Sequence, residues 1–329
     1  MMNLQRLRYK LHSGKNNKLF YFVREYAKLL VPAPLMRLRR ERMLRSAKQR
    51  SDYDEIQQRV DYYCKLDASS SQLDTEAWQR DAVRLKAQPM TSQKVYYLDA
   101  MEYARCFNLN LKWHLMPGDV TTVPAIPSIV KSRPIGGDNR NSVVMKLNKV
   151  RHFIFVNDKL SFDDKKDMAI FRGKVNNKDI RLRFMHKFFG NPRFDVGAID
   201  MVKPEWKCEK MAIRDHLKYK YIMALEGNEV ASNLKWIMSS NSIAVMPKPN
   251  YETWFMEGRL KADYHYIEVK PDFSDLEAKM DHYTRHPEEA EAIIRHAHEY
   301  VAQFIDKHRE DIVSLMVLDK YFKATNSRL

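Results

Sequence analysis

RDHLKYKYIMALEGNEVASNLKWIMSSNSIAVMPKP, residues 214–249, decides the fold. The apolar-aromatic run Tyr219 to Leu225 reads as a buried strand, and Glu226-Gly227-Asn228 breaks it. Ala231 to Ser239 has helical spacing, with Leu234, Ile237 and Met238 on one face. Ser240-Asn241-Ser242 is a turn, and Ile243 to Met246 is a second apolar strand. Strand, polar loop, helix, strand is a βαβ unit. Its loop meets a helix N-terminus, where unpaired N–H groups and a partial positive charge suit a phosphate. An ordinary crossover that binds nothing has the same spacing, so both readings stand at this point.

The rest of the chain sets bounds. Its 329 residues are enough for two domains with real cores. A hydrophobic content of 44% excludes a disordered chain. Cys64, Cys106 and Cys208 are odd in number and far apart, with no CxxC or zinc spacing, so a reducing compartment is expected. No apolar run approaches the roughly 20 residues of a membrane span, and the N-terminus does not read as a secretory signal. The net charge of +15 is uneven: residues 1–50 hold fourteen Lys/Arg against Glu25 and Glu41, so +12 of it sits there.

That basic end mixes Arg6, Arg8, Lys10, Lys15 and Lys18 with Leu19, Phe20, Tyr21 and Phe22. After Val31-Pro32-Ala33-Pro34, a long helix is expected from Leu35 to about Lys65, opening with Arg37, Arg39, Arg40, Arg42 and Arg45. Three readings compete: a solvated basic helix, an anionic membrane surface at about 1 kcal/mol per basic residue, and nucleic acid. No helix-turn-helix, zinc-finger or RNP signature favours the last. Further on, Thr75 to Lys86 is an expected helix, Lys94 to Leu98 a strand leading into a helical Asp99 to Cys106, and Leu109 to Met116 a strand. Phe153 to Val156 is a strand, and the charged Asp158 to Asp167 connects two domains. Met168 to Gly173 is a short strand, Lys178 to Phe189 a basic amphipathic helix, and Phe194 to Ile199 a strand. Tyr264 to Val269 is a strand, Ser274-Asp275-Leu276-Glu277 a capping box, and Pro287–Phe304 and Ile312–Lys323 are helices. Alternating strands and helices in both halves argue for two α/β domains of parallel-sheet type.

Several residues have chemistry to offer. Arg172 in Phe171-Arg172-Gly173 stands at the C-terminal end of a strand, the edge where ligands of open α/β sheets gather, and its fork suits a diphosphate; a surface arginine before a turn is the plainer alternative. Lys235 near the helix start adds charge, and Asn228, Ser232 and Asn233 add donors. Glu252 is expected to begin a helix after Pro247-Lys248-Pro249, where a carboxylate can accept both ribose hydroxyls or simply favour a first turn. Asp119, after Pro117-Gly118, is a candidate general base or an ordinary turn aspartate. The DxD pair Asp52 and Asp54 lies in the basic helix, and His282, His286, His296 and His298 lack HExxH spacing. No Walker A or GxGxxG occurs.

FRG at 171–173, the run at 215–236, SIAVMP at 242–247, YETWF at 251–255, YHYIEV at 264–269 and DFSDLEAKM at 272–280 together resemble the donor half of glycosyltransferase family 90. The family includes protein O-glucosyl/xylosyltransferases and bacterial lipopolysaccharide-core proteins. The bacterial branch is the more similar, notably at KSRPIGGDNRNSVVMKLNKVRHF, 131–153. The resemblance covers roughly residues 110–310. It implies a GT-B fold of two Rossmann-like domains facing a cleft, and inverting, metal-independent transfer from a UDP-sugar. It further implies that Arg172 and Gly173 contact donor phosphate, that Glu252 lies near the ribose, and that Asp119, ahead of Ala125-Ile126-Pro127, is the catalytic aspartate. The eukaryotic members have an arginine in a V-A-x-R pattern where this chain has Asn233, with Lys235 two residues on, so Arg172 and Lys235 would neutralise the leaving UDP.

The expectations are therefore a basic helical region at 1–70, an acceptor-side α/β domain at 71–160, a donor α/β domain at 161–310 and a C-terminal helix at 311–329 that packs back on the N-terminal domain. The expected enzyme moves a sugar from a UDP-sugar to a hydroxyl of a lipopolysaccharide core or related glycan. It would need no cofactor, bind no nucleic acid, and sit on the inner face of the cytoplasmic membrane through residues 1–50. The rival is a non-catalytic basic α/β protein that binds nucleic acid or membrane.

Overall fold

The computed structural model describes residues 13–67 and 75–326. The chain forms two compact units. A sheet unit comprises 13–16, 151–250 and 257–303; a helical unit comprises 17–67, 75–150, 251–256 and 304–326.

The helical unit opens with α1 (Lys18–Leu29), α2 (Ala33–Ala47), α3 (Tyr53–Tyr63), α4 (Thr75–Asp81) and α5 (Lys94–Ala104). Asn17 caps α1, its Oδ1 accepting from the amides of Leu19 and Phe20 at 2.9 and 3.2 Å. The single long helix expected from Leu35 to Lys65 is instead α2 and α3. Between them Arg50 turns back to hold Asp52 through two bonds of 2.7 and 2.9 Å. The strand expected at Lys94–Leu98 is the first turn and a half of α5. Val95-Tyr96-Tyr97 favours a strand locally, but tertiary packing wins. Asp99 on this helix is fully buried, accepts from the Tyr21 hydroxyl at 2.7 Å and from the Lys149 amide at 2.9 Å, and so ties α5 to α1.

Strands in this unit are short. β1 (Val83–Arg84) pairs antiparallel with β2 (Lys112–Trp113), and β3 (Ser128–Val130) pairs parallel with β5 (Ser142–Val144). β4 (Ser132–Pro134) pairs antiparallel with a strand from far along the chain, described below. A Rossmann-like parallel sheet, expected for this half, does not occur among the described residues: its strands form only two-stranded ladders.

The sheet unit holds β6 (Lys166–Gly173), α6 (Asp179–Phe188), β7 (Phe194–Ala198), β8 (Tyr219–Met223), α7 (Leu234–Met238) and β9 (Ile243–Met246). The chain then lends β10 (Tyr251–Thr253) to the helical unit, where it is the partner of β4. It returns for β11 (Ile267–Glu268), α8 (Leu276–Arg285) and α9 (Pro287–Ala302), and ends in α10 (Lys307–Asn326), which belongs to the helical unit and packs on α2, α3 and α5. The five strands β11-β9-β8-β6-β7 form one wholly parallel sheet. Alternate residues Ala169 and Phe171, Tyr221 and Met223, and Ile243 and Val245 enter one core with Phe184 and Phe188 of α6 and Met280 of α8. The intervening Ile170, Ile222 and Ala244 are buried too, as expected of a sheet covered on both faces. The βαβ unit read from residues 214–249 is present as β8, α7 and β9. The capping box at Ser274 is not: Asp275 precedes the helix without a side-chain cap and accepts instead from the Lys270 amide at 2.9 Å.

No described helix is long and apolar enough to cross a membrane.

Candidate active site

The strand order of the sheet reverses between β6 and β8: from β6 the chain moves outward to β7, then back across to β8, β9 and β11. Such a switch point opens a crevice at the carboxyl ends of the two strands, where α/β sheets bind ligands. The loops leaving β6 and β8 flank it, and both are pinned from within. The Asp200 carboxylate accepts from the amides of Val175 and Asn176 at 2.9 and 3.0 Å. Arg181, on the first turn of α6, reaches three carbonyls across the crevice: Lys174 at 2.8 Å, Leu225 at 2.7 Å and Glu226 at 2.9 Å. Its guanidinium also lies over the Phe171 ring at 5.8 Å. Burial, with the neighbouring Arg151 charge, pulls Arg181 down to about 10, so it is still a cation at neutral pH.

Two glycines make this approach possible. A Cβ on Gly173 would come within 2.8 Å of the Phe171 ring and 3.5 Å of an Arg181 nitrogen, and one on Gly227 would sit 3.0 Å from Arg181. Lys178 donates to the Asn228 Oδ1, fastening the start of α6 to the β8 loop. On the other side of that loop, Glu226 accepts from the amide and side chain of Asn250, both at 2.9 Å. A small hollow of about 20 Å³ opens between the β8 loop and Pro247–Asn250, lined by Ile180, Val230, Leu234 and Met246 together with Glu226 and Glu257.

The expected site residues are distributed unevenly around this geometry. Gly173 and Asn228 stand at the switch point. Asn233 is behind it, its side chain donating to the Met223 carbonyl at 3.0 Å and so fixing α7 to β8. Ser232 is half-buried in the turn before α7. Arg172 ends β6 as expected, but its guanidinium turns sideways onto β7. It donates to the Asp195 carbonyl at 2.7 Å and pairs with the Asp195 carboxylate, which also accepts from Tyr219 at the opposite end of β8. Lys235 is fully buried rather than open at a helix start, because α7 is only five residues long and the ammonium meets Glu257 at 2.7 Å. Glu252 does not begin a helix. It lies in β10 within the helical unit, buried, accepting from Arg133 at 2.7 Å and from the Tyr62 hydroxyl. Arg133 is itself wholly buried and needs that carboxylate.

Asp119 belongs to the helical unit. Gly118, at φ +105°, makes the sharp turn before it, and the Ser132 hydroxyl brackets Val120 after it, accepting at 3.1 Å and donating at 2.9 Å. The Asp119 side chain is 23% exposed and pairs at 2.6 Å with Lys131, whose own side chain is 2% exposed. Among the described residues one group has metal-ligand spacing, His286, Glu288 and Glu289, all exposed at the α8–α9 junction and none of them an expected donor contact.

The sequence model of glycosyl transferase family 90 matches residues 142–327, more than half of the chain. The chain belongs to glycosyl transferase family 90. It is 42% identical over 270 residues to O-glucosyltransferase LpsA of Dichelobacter nodosus, an alignment covering 81% of this chain and 82% of that protein. It is 27% identical over 176 residues to Protein O-glucosyltransferase 3 of Homo sapiens, covering 51% of this chain and 34% of that one. The protein is thus a glycosyltransferase with a mixed α/β fold, acting between a sugar donor and a glycan acceptor, and the non-catalytic alternative falls away.

Arg181, Asp200 and Lys131 were not singled out from the sequence. Arg181 had a visible signal, a basic residue in the first turn of the helix that follows FRG, but only the apolar side of that helix carried a pattern.

Proposed function

We propose that this transferase is an inverting enzyme that uses a UDP-sugar without a divalent cation and glycosylates a hydroxyl of a lipopolysaccharide core or related glycan. The observation that carries the donor half is the crevice at the β6–β8 switch point, spanned by the Arg181 cation and edged by Gly173 and Asn228. There the diphosphate would meet the Arg181 and Lys178 cations, with the uridine lying toward Pro247–Asn250. Glucose is the first sugar to test, since both relatives named above are O-glucosyltransferases. A lipopolysaccharide acceptor is proposed because the bacterial LpsA is the more similar of the two relatives named above, and the inner face of the cytoplasmic membrane is proposed as the place where such an acceptor is met.

In the reaction the acceptor hydroxyl gives its proton to the Asp119 carboxylate as its oxygen bonds to the anomeric carbon. The bond from that carbon to the β-phosphate oxygen breaks, and its electron pair leaves with UDP. Charge growing on the leaving phosphate is met by donors already fixed in place, which is the efficient arrangement for such a step. Arg172, Lys235 and Glu252 are not given phosphate or ribose roles here, since their charges are already engaged by Asp195, Glu257 and Arg133.

The test is Asp119→Asn assayed with UDP-glucose and truncated lipopolysaccharide, in the presence and absence of EDTA. Transfer should fall at least a thousandfold while UDP binding by calorimetry stays within twofold of wild type. Turnover within tenfold of wild type would remove Asp119 as the base, and turnover abolished by EDTA would remove the metal-independent step.

A further inference from the structure

Helix α1 has two apolar faces, and only one of them is used. Tyr21 and the partly buried Phe22 and Leu29 pack with Leu98 and Val150, and the buried Glu25 on the same side is held by Lys28 at 2.8 Å. Leu19, Val23, Tyr26 and Leu30 follow one another at spacings of four, three and four, and so form one stripe on a neighbouring side. That stripe is bare: Leu19 is 75% exposed, Val23 60% and Leu30 84%, with Phe20 beside it at 66%. From Leu19 to Leu30 it runs about 16 Å along the helix. Three residues later α2 begins, and its outer face carries exposed Leu35 and Leu38 with Arg42 and Arg45 on the same side. A hollow of about 410 Å³, mostly apolar, opens there between Leu35, Leu38, Arg39 and Met43 on α2 and His308 and Asp311 on α10, Asp311 being paired with Arg39.

The charge around the stripe is of one sign. Lys18, Arg24, Arg37, Arg42, Arg45 and Lys48 are exposed on the two helices. Their acids are Glu25, which is buried and paired, and Glu41, which meets Arg45 at 3.5 Å. Soluble proteins rarely leave a contiguous apolar stripe of this kind uncovered. An apolar ridge rimmed by lysine and arginine is the composition of a helix that lies in a bilayer interface, with its ridge about 5–10 Å into the headgroup–acyl boundary. A second copy of this chain would bring the same positive rim against itself, and nucleic acid would leave the leucines in water.

We propose that α1 and α2 attach this transferase to an anionic bilayer by insertion, with Leu19, Phe20, Val23 and Leu30 as the wedge and the α2 arginines on the lipid phosphates. Attachment of this kind keeps the enzyme at the surface where a lipid-linked acceptor is presented, yet it stands independently of the transfer chemistry.

The experiment is co-sedimentation of the full chain with phosphatidylglycerol/phosphatidylethanolamine vesicles and with phosphatidylcholine vesicles, without donor or acceptor. The wild type should partition onto the anionic vesicles, and Leu19→Ser/Val23→Ser/Leu30→Ser should lower the partition coefficient at least tenfold with an unchanged melting temperature. Arg37→Gln/Arg42→Gln/Arg45→Gln should also weaken binding and flatten its salt dependence. Leu30→Trp gives a second readout, a blue-shifted emission with anionic vesicles. The proposal is overturned if the serine variant partitions like wild type, if the tryptophan emission does not move, or if wild type stays in the supernatant. It is equally overturned if wild type is a dimer that the serine variant dissolves while vesicle binding is unaltered.

Discussion

Arg181→Lys isolates what the switch-point crevice depends on. The substitution keeps a cation but removes the planar fork that reaches the carbonyls of Lys174, Leu225 and Glu226. A shorter ammonium can keep one of these three bonds. Each bond from a charged donor contributes about 1.5–3 kcal/mol. Losing two therefore costs roughly 3–6 kcal/mol gross, and part of that returns because a partly desolvated guanidinium is no longer confined there. A net loss of about 2–3 kcal/mol of order in the two loops is expected. A donor must then restore that order when it binds, so its apparent dissociation constant rises in inverse proportion to the fraction of molecules with loops in place. At about 1.4 kcal/mol per decade this is roughly 10–100-fold for UDP. Isothermal calorimetry with UDP reads the affinity, and hydrogen exchange at residues 174–178 and 225–228 reads the loops. UDP affinity within twofold of wild type, with exchange accelerated as expected, would show that the donor does not lie at this crevice. Unchanged exchange would refute the account of the loops themselves.

Two further outcomes follow from buried charge. Glu310 is 2% exposed and serves Arg59 at 2.7 Å, Lys146 at 2.8 Å and the Trp254 indole at 2.7 Å; Glu310→Ala leaves those cations buried without it and should destabilise the chain by about 3–5 kcal/mol in urea titrations, whereas a loss under 1 kcal/mol would mean that water replaces the carboxylate. His265 is depressed to about 4 by burial, with His296 and Lys261 adding to it, and its Nδ1 accepts from the Lys261 amide at 2.9 Å, which only the neutral ring can do. Its folded value lies below the ordinary 6.5, so its contribution is fully present above about pH 6.5 and is lost as pH falls to about 4. The urea midpoint of wild type should therefore drop more between pH 7 and 4.5 than that of His265→Gln, and parallel drops would contradict it.

The sequence was most readable where structure is local. Tyr219–Met223, Leu234–Met238 and Ile243–Met246 stand within the run that suggested them, because a buried strand and a buried helix face each leave a periodic trace. The strand order was not readable, since register between distant strands leaves no mark in any one of them. Lys94–Leu98 misled because two tyrosines and a valine favour a strand until Asp99 finds Tyr21 and the Lys149 amide. Glu252 misled for a related reason: the prolines before it announce a break but not which unit the chain enters next. Gly173 and Asn228 stand at the carboxyl ends of β6 and β8, a place their position after a strand makes legible. Arg181 was not legible, because its importance lies in three carbonyls contributed by two loops about 50 residues apart.

The excursion through β10 bears on how such a chain can be rearranged over evolution. Between β9 and β11 it carries Trp254, Phe255 and Met256, each at most 1% exposed, into the company of Tyr63 and Phe304. Neither half of the molecule is then a continuous stretch of gene. Shuffling by simple end-to-end joining would sever a buried aromatic cluster whichever half it moved. A lineage would therefore inherit or lose the two units together.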